Sequence, residues 1–135
     1  MALSANDRSI AGFTMAGHSL VHWFETSVPI FLVVWLIEFD VSILLLGLII
    51  APSYGLFGFG ALPAGILADK YGTKRLILLC LTGMSLGFFV LSLANGIYAI
   101  AVGLIIWGLA ASIYHPAGLS LISTGVEEQI GRAHV

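Results

Sequence analysis

Four long apolar segments constrain the fold of this chain more than any other feature. They occupy residues 10–37, 43–68, 76–94 and 97–122, and short polar connections separate them. A helix needs about 20 apolar residues to cross the hydrocarbon core of a bilayer, and each segment is of about that length. Lipid admits only helices and closed barrels, and these runs are too long and continuous for barrel strands. The sequence therefore predicts an all-α integral membrane protein with four transmembrane helices.

The composition supports lipid as the solvent of this chain. Its 135 residues are 59% hydrophobic and 9% charged, with a mean hydropathy of +1.07. A soluble domain carries about 25% charged residues, and one of this length could not bury so much apolar surface. There is no basic patch, so the expected partner is the lipid bilayer and not nucleic acid. The single cysteine, Cys80, excludes an intramolecular disulfide.

The basic residues predict the orientation of the helices. Arg8 precedes the first segment, and Lys70, Lys74 and Arg75 lie between the second and third. The connections on the other side carry carboxylates but neither lysine nor arginine. By the positive-inside rule, the N-terminus and the connection at residues 65–75 are expected in the cytoplasm, with the chain in the cell membrane.

Local signals predict how the helices begin, turn and pack. Asp40 or Ser42 is the expected N-cap of the second helix, and Asn-Gly at 95–96 predicts a tight helix–helix corner. Pro116 removes a backbone donor, so it should bend the fourth helix and free a carbonyl near Ser112. Small residues four apart predict close packing within the bundle, with a homodimer face as the alternative. These pairs are Gly12 with Ala16, Gly83 with Gly87, and Gly108 with Ser112.

A polar stripe interrupts the first segment. His18, His22 and Glu25 are spaced i, i+4 and i+7, so they share one face of a helix. Ionisable groups at membrane depth cost about 3 kcal/mol on insertion scales, and they are expected to face the protein interior. Three hypotheses stay open. The stripe binds substrate or relays a proton, it hydrogen-bonds across helices for structure, or it binds a metal ion.

The connection GILADKYGTKR, residues 65–75, combines turn residues with charges. Gly65 is expected to allow close packing, Asp69 to cap the next helix or pair with a base, and Gly72 to adopt a positive φ. This connection closely resembles the loop signature of the major facilitator superfamily, although Thr73 stands where a basic residue is common. The match comprises Gly65, Leu67, Ala68, Asp69, Lys70, Gly72 and Lys74.

The resemblance implies a fold of twelve helices in two six-helix halves, of which this chain would supply helices one to four. It implies transport of a small-molecule substrate by alternating access, driven by an ion gradient. The polar stripe makes H⁺ the expected coupling ion, because a glutamate beside a histidine can exchange a proton near neutral pH. The loop is then expected to stabilise one conformation and release it in the other. Its residues in that role are Gly65, Asp69, Lys70, Gly72, Lys74 and Arg75.

The resemblance also suggests where the site lies, because helices one and four line the central cavity in this superfamily. The stripe would then face Tyr114 and His115, with Tyr54 lining the same cavity. The His-Pro pair of SIYHPAG is similar to the fosmidomycin-resistance branch. The arginine that many proton-coupled exporters carry in helix four is absent, and Leu104 and Trp107 stand in that region.

Other functions have less support in the sequence. It has neither a nucleotide-binding loop nor a nucleophile–base pair, so we expect no cofactor and no enzymatic activity. The alternative to a transporter is a freestanding four-helix membrane sensor or assembly subunit.

The last residues suggest a cut chain. Residues 129–135, QIGRAHV, can be encoded by a common sequencing adapter, so we expect them to be non-native, with a genuine polar tail as the alternative. Residues 1–128 would then be the first four helices of a truncated transporter, whose C-terminal part is a missing partner.

Overall fold

The computed structural model describes residues 4–132, with the side chains of residues 4–123. This part of the chain is helical and contains no strand, which confirms the predicted all-α fold. Of the expected non-native segment, residues 133–135 lie outside the described residues, and only the backbone of 129–132 is described. The helices are α1 (Ala5–Glu38), α2 (Ile43–Phe59), α3 (Ala61–Tyr71), α4 (Thr73–Ser92), α5 (Ile97–Ala111) and α6 (Tyr114–Arg132).

The four predicted segments correspond to α1, to α2 with α3, to α4, and to α5 with α6. Three helices in the described part are long and apolar enough to cross a membrane, namely α1, α4 and the stretch Ile97–Ser123. The pair α2 and α3 also qualifies if it counts as one span with a bend of 45°. The number of spans is therefore three, or four with the bent pair, which matches the predicted four segments.

The second and fourth segments are each broken into two helices, and each break lies just before a proline. Pro116 has no N–H to donate to the carbonyl of Ser112. The fourth segment is broken at Ser112, between α5 and α6, as predicted. Pro63 likewise leaves the carbonyl of Phe59 without its partner, and α2 gives way to α3 at Gly60. No break was predicted within this second segment. The two breaks are adjacent, because a Cβ on Gly60 would lie 2.5 Å from the Ser112 hydroxyl.

The helix starts follow from side-chain caps. Ser4 and Asp7 form a capping box, each side chain accepting the other's backbone N–H at 3.1 Å. Helix α1 therefore begins five residues before the predicted segment, and Arg8 lies in its first turn. Of the two predicted caps of α2, Ser42 has that role and accepts a backbone N–H at 3.2 Å. Asp40 instead occupies the preceding turn with a φ of 47°.

The core lies where α5 packs against α4 and α2. Its centre is Trp107, which is fully buried with Leu104 of the same helix and Met84 of α4. Glycines bring these backbones together, since a Cβ on Gly87 would lie 2.8 Å from the carbonyl oxygen of Gly103. The predicted packing is thus observed for Gly83 and Gly87 of α4 against α5 and for Gly108 of α5 against α2. It was wrong for Gly12, because a Cβ there would meet no atom within 4 Å. Cys80 is also buried there as a small apolar residue.

Candidate functional site

The three residues of the polar stripe contact one another on α1. The Nδ1 atom of His22 lies 2.8 Å from Oε2 of Glu25, and its Nε2 atom lies 3.2 Å from Nε2 of His18. Both nitrogens of His22 are therefore engaged, one with a carboxylate and one with a second imidazole. A histidine in this position can take a proton on one nitrogen and release one from the other.

A proline supports this stripe from within α1. Pro29 has no N–H, so the carbonyl of Glu25 loses its helical hydrogen bond. The hydroxyl of Tyr54 on α2 donates to that carbonyl oxygen at 3.3 Å. Tyr54 was expected to line the site, and the structure places its hydroxyl on the backbone of the stripe. The signal for this contact is present in the sequence as a proline four residues after the glutamate.

Helix α6 supplies the opposite side of the site. The His115 ring centroid lies 5.8 Å from that of His18 and 5.9 Å from that of His22. Tyr114 is buried, and its hydroxyl donates to the carbonyl oxygen of Thr14 at 2.5 Å. The structure thus places Tyr114 and His115 opposite the stripe. Sequence reasoning missed Thr14, which lies one turn before His18.

Gly17 sets the approach of α6 to α1. A Cβ at this position would lie 2.8 Å from the Tyr114 ring, so a larger residue would push the two helices apart. The glycine therefore keeps His18 and His115 within 6 Å of each other. The sequence carries no spacing signal for this contact, because its partner lies 97 residues away along the chain.

Two grooves open beside the stripe. One, of about 310 Å³, lies between α1 and α6 and is lined by His18, His115 and apolar residues such as Met15. The other, of about 430 Å³, follows α1 along His22 and Trp23. The stripe therefore borders a groove on each of two sides.

The metal hypothesis has no geometric support in the described part of the chain. No three histidine, cysteine, aspartate or glutamate side chains there are placed to hold a metal ion. His18, His22 and Glu25 instead form a linear chain of contacts, with His22 in the middle. A linear arrangement suits transfer of a proton from one group to the next.

The loop between α3 and α4 turns at Gly72. This residue has a φ of 89°, a value that side chains disfavour, and it confirms the predicted positive φ. The expected close packing at Gly65 is not observed, because a Cβ there would meet its nearest atom, on Pro116, at 3.8 Å. That distance is an ordinary van der Waals contact, so the position has room for a methyl group.

The charged residues of the loop are exposed. Among the side chains that the structure describes, Asp69 forms no ion pair and does not cap α4, so its expected role as a cap was wrong. Lys74 and Arg75 begin α4 and also have no carboxylate partner in the described region. Lys70 lies over the ring of Tyr71, with its Nζ atom 5.2 Å from the centroid.

Comparison with known proteins agrees with these features. The family model of the Major Facilitator Superfamily matches residues 14–133. An uncharacterized MFS-type transporter of Bacillus subtilis (strain 168), YqjV, is 30% identical over 83 residues. This match covers 62% of the chain and 20% of the Bacillus protein, so the chain spans about a fifth of its relative. No solved structure matches. Nearly the whole chain falls within the family match, and with its apolar helices it belongs to the Major Facilitator Superfamily as a multi-pass membrane protein.

Proposed function

We propose that the protein moves a small solute across the cell membrane by alternating access, driven by a proton gradient. Family membership supports transport, and it disfavours a freestanding four-helix sensor or assembly subunit. The observation that carries the proton coupling is the contact chain Glu25–His22–His18. The proposal makes this chain the proton pathway, with His115 as its neighbour on α6.

The chemistry of such a pathway follows from the contacts. A proton on the Glu25 carboxyl passes to Nδ1 of His22 over 2.8 Å, and Nε2 of His22 then donates to His18 over 3.2 Å. Histidine suits this role because it changes charge near neutral pH. Glu25 lies seven positions after His18, or about 10 Å along the helix, so the relay would move a proton through about a third of the hydrocarbon core.

The relay also links the proton to the shape of the protein. His115 follows the break at Ser112, whereas the stripe lies on the continuous helix α1. Protonation of His18 or His22 places positive charge within 6 Å of the His115 ring centroid. Positive charges on both sides would repel across this distance, and a change in the angle between α1 and α6 would relieve that repulsion.

The remaining features fit a larger transporter of this family. The proposal makes this chain the first four helices of a twelve-helix protein, with the N-terminus and residues 65–75 in the cytoplasm. Its span of about a fifth of the Bacillus relative supports this assignment. The exposed charges of Asp69, Lys70, Lys74 and Arg75 are free to pair with other groups when the protein changes conformation, which is the role proposed for this loop.

The decisive experiment replaces the carboxylate of the relay. The complete reading frame at this locus is expressed, purified and placed in proteoliposomes, and uptake of labelled solutes is screened under an imposed pH gradient. Glu25→Gln should abolish gradient-driven accumulation but leave exchange of the solute at equal pH, because only the proton step is lost. Asp40→Asn, the same chemical change in the turn after α1, should keep accumulation within about twofold. Unchanged accumulation in Glu25→Gln would refute the relay.

A further inference from the structure

A third groove lies at the other end of α1, between its C-terminal half and that of α4. Its volume is about 320 Å³, and aromatic rings form much of its wall. The Phe31 and Trp35 rings are stacked with centroids 5.8 Å apart, and the Phe88 ring lies 6.2 Å from that of Phe31. Ten residues separate Trp35 from Glu25, or about 15 Å of helix, so this groove is distinct from the histidine stripe.

The polar groups of this groove favour a positive ligand. The carboxylate of Glu38 lines it, and the side chain of that residue is exposed. Ser92 also lines it, but its hydroxyl hydrogen already binds the carbonyl oxygen of Phe89 at 2.7 Å. Only lone pairs of the Ser92 oxygen therefore remain for a ligand. Both side chains offer acceptors and no donor.

The helix ends add to this preference. Helices α1 and α4 both end at this groove, so their partial negative charges and their last carbonyl groups lie around it. Neither helix has a basic residue in its last turn. The connection from α1 to α2 adds the carboxylate of Asp40 and no lysine or arginine. The electrostatic potential at this end of the molecule is therefore negative.

The aromatic wall selects among cations. A small inorganic cation would have to give up part of its hydration shell to lie against these rings, and it would gain only one carboxylate ligand in return. An organic ammonium instead gains cation–π attraction from each ring face that it covers. We propose that this groove binds a small organic cation of the alkylammonium class, entering from the water at the ends of α1 and α4. The site is independent of the proton relay and of the solute that the relay drives.

Binding is tested with labelled choline, which carries a trimethylammonium group, on the complete protein in phosphatidylglycerol nanodiscs by equilibrium dialysis. Choline should bind, and unlabelled 3,3-dimethylbutan-1-ol, its neutral carbon isostere, should fail to displace it. Glu38→Gln should weaken binding about tenfold, because it removes the carboxylate. Phe31→Leu should weaken it about fivefold, because it keeps an apolar side chain but removes a ring face.

Control measurements test whether choline occupies this groove. Asp40→Asn, a charge change outside the groove, should alter choline affinity by less than about twofold. Displacement by the neutral isostere, or unchanged affinity in Glu38→Gln, would overturn the proposal. Phosphatidylcholine nanodiscs should leave the affinity unchanged, whereas a tenfold loss there would make a lipid headgroup the occupant. Because Glu25→Gln leaves this groove intact, it should still bind choline whether or not the relay is correct.

Discussion

The two parts of the fourth segment have opposite characters. On α5, Trp107 is fully buried and the backbone packs directly on glycines of α4. On α6, His115 is exposed and faces the imidazoles of α1 across open grooves. In the most apolar part of Ile97–Ser123, 50% of the residues are buried within the protein. In the most apolar part of α1, only 17% of the residues are buried. The comparison teaches that the break at Ser112 separates the most tightly packed half of the segment from the half that brings His115 to the stripe on α1.

The most severe test of this contrast is Gly87→Val on the packed side. Its side chain would collide with the backbone of α5, which cannot move away as a flexible side chain can. We expect a loss of about 3 kcal/mol in the free energy of unfolding, measured by SDS titration in mixed micelles. Gly12→Val is the matched control, because no atom lies within 4 Å of a Cβ there, and it should stay within about 0.5 kcal/mol. Equal effects of the two variants would show that the backbones of α4 and α5 are not closely packed at Gly87.

A smaller effect is expected where the polar half meets α1. Tyr114→Phe removes the hydroxyl that donates to the Thr14 carbonyl oxygen and leaves that carbonyl without this partner. The free energy of unfolding should fall by about 1.5 kcal/mol in the same titration. Tyr98→Phe, an identical change at a residue that is 84% exposed, should have no measurable effect. A loss above about 3 kcal/mol for Tyr114→Phe would place the strongest packing on α6 and reverse the comparison.

The smallest effect on stability should come from the stripe itself. His22→Gln keeps a polar side chain that can donate and accept hydrogen bonds, and it removes little packing because the His22 side chain is 47% exposed. We expect a change within about 0.5 kcal/mol in unfolding, together with loss of proton-driven accumulation in proteoliposomes. This variant separates the proton-relay hypothesis from the structural one. A loss of about 2 kcal/mol with accumulation retained would make the stripe a structural network.

Much of this architecture could be predicted from local signals. Apolar length predicts the segments, the hydroxyl of Ser42 predicts the start of α2, and Pro116 predicts the break in the fourth helix. The spacing of His18 and Glu25 predicts a common face, because helical periodicity fixes it whatever packs against it. Each of these properties depends on residues within a single segment or its ends.

The rest depends on contacts between distant parts of the chain. No local pattern shows that Gly17 meets the Tyr114 ring or that Gly60 meets Ser112. The break at Gly60 has a local cause in Pro63, but the apolar run around it hid that signal. The prediction for Gly65 was wrong for the opposite reason. The motif indicated close helix packing there, but the structure has room for a methyl group.

The hydrogen bond from Tyr54 to Glu25 has a consequence for natural variation. Pro29 lacks the amide hydrogen that would normally bind the Glu25 carbonyl oxygen, and the Tyr54 hydroxyl binds that oxygen instead. The residue types at positions 29 and 54 are therefore linked, although the positions are 25 apart in the sequence. A relative with an ordinary residue at position 29 would satisfy this carbonyl through its own backbone, and its tyrosine would become redundant. Positions 29 and 54 are therefore expected to change together across descendants of a common ancestor, with phenylalanine at 54 accompanying any loss of the proline.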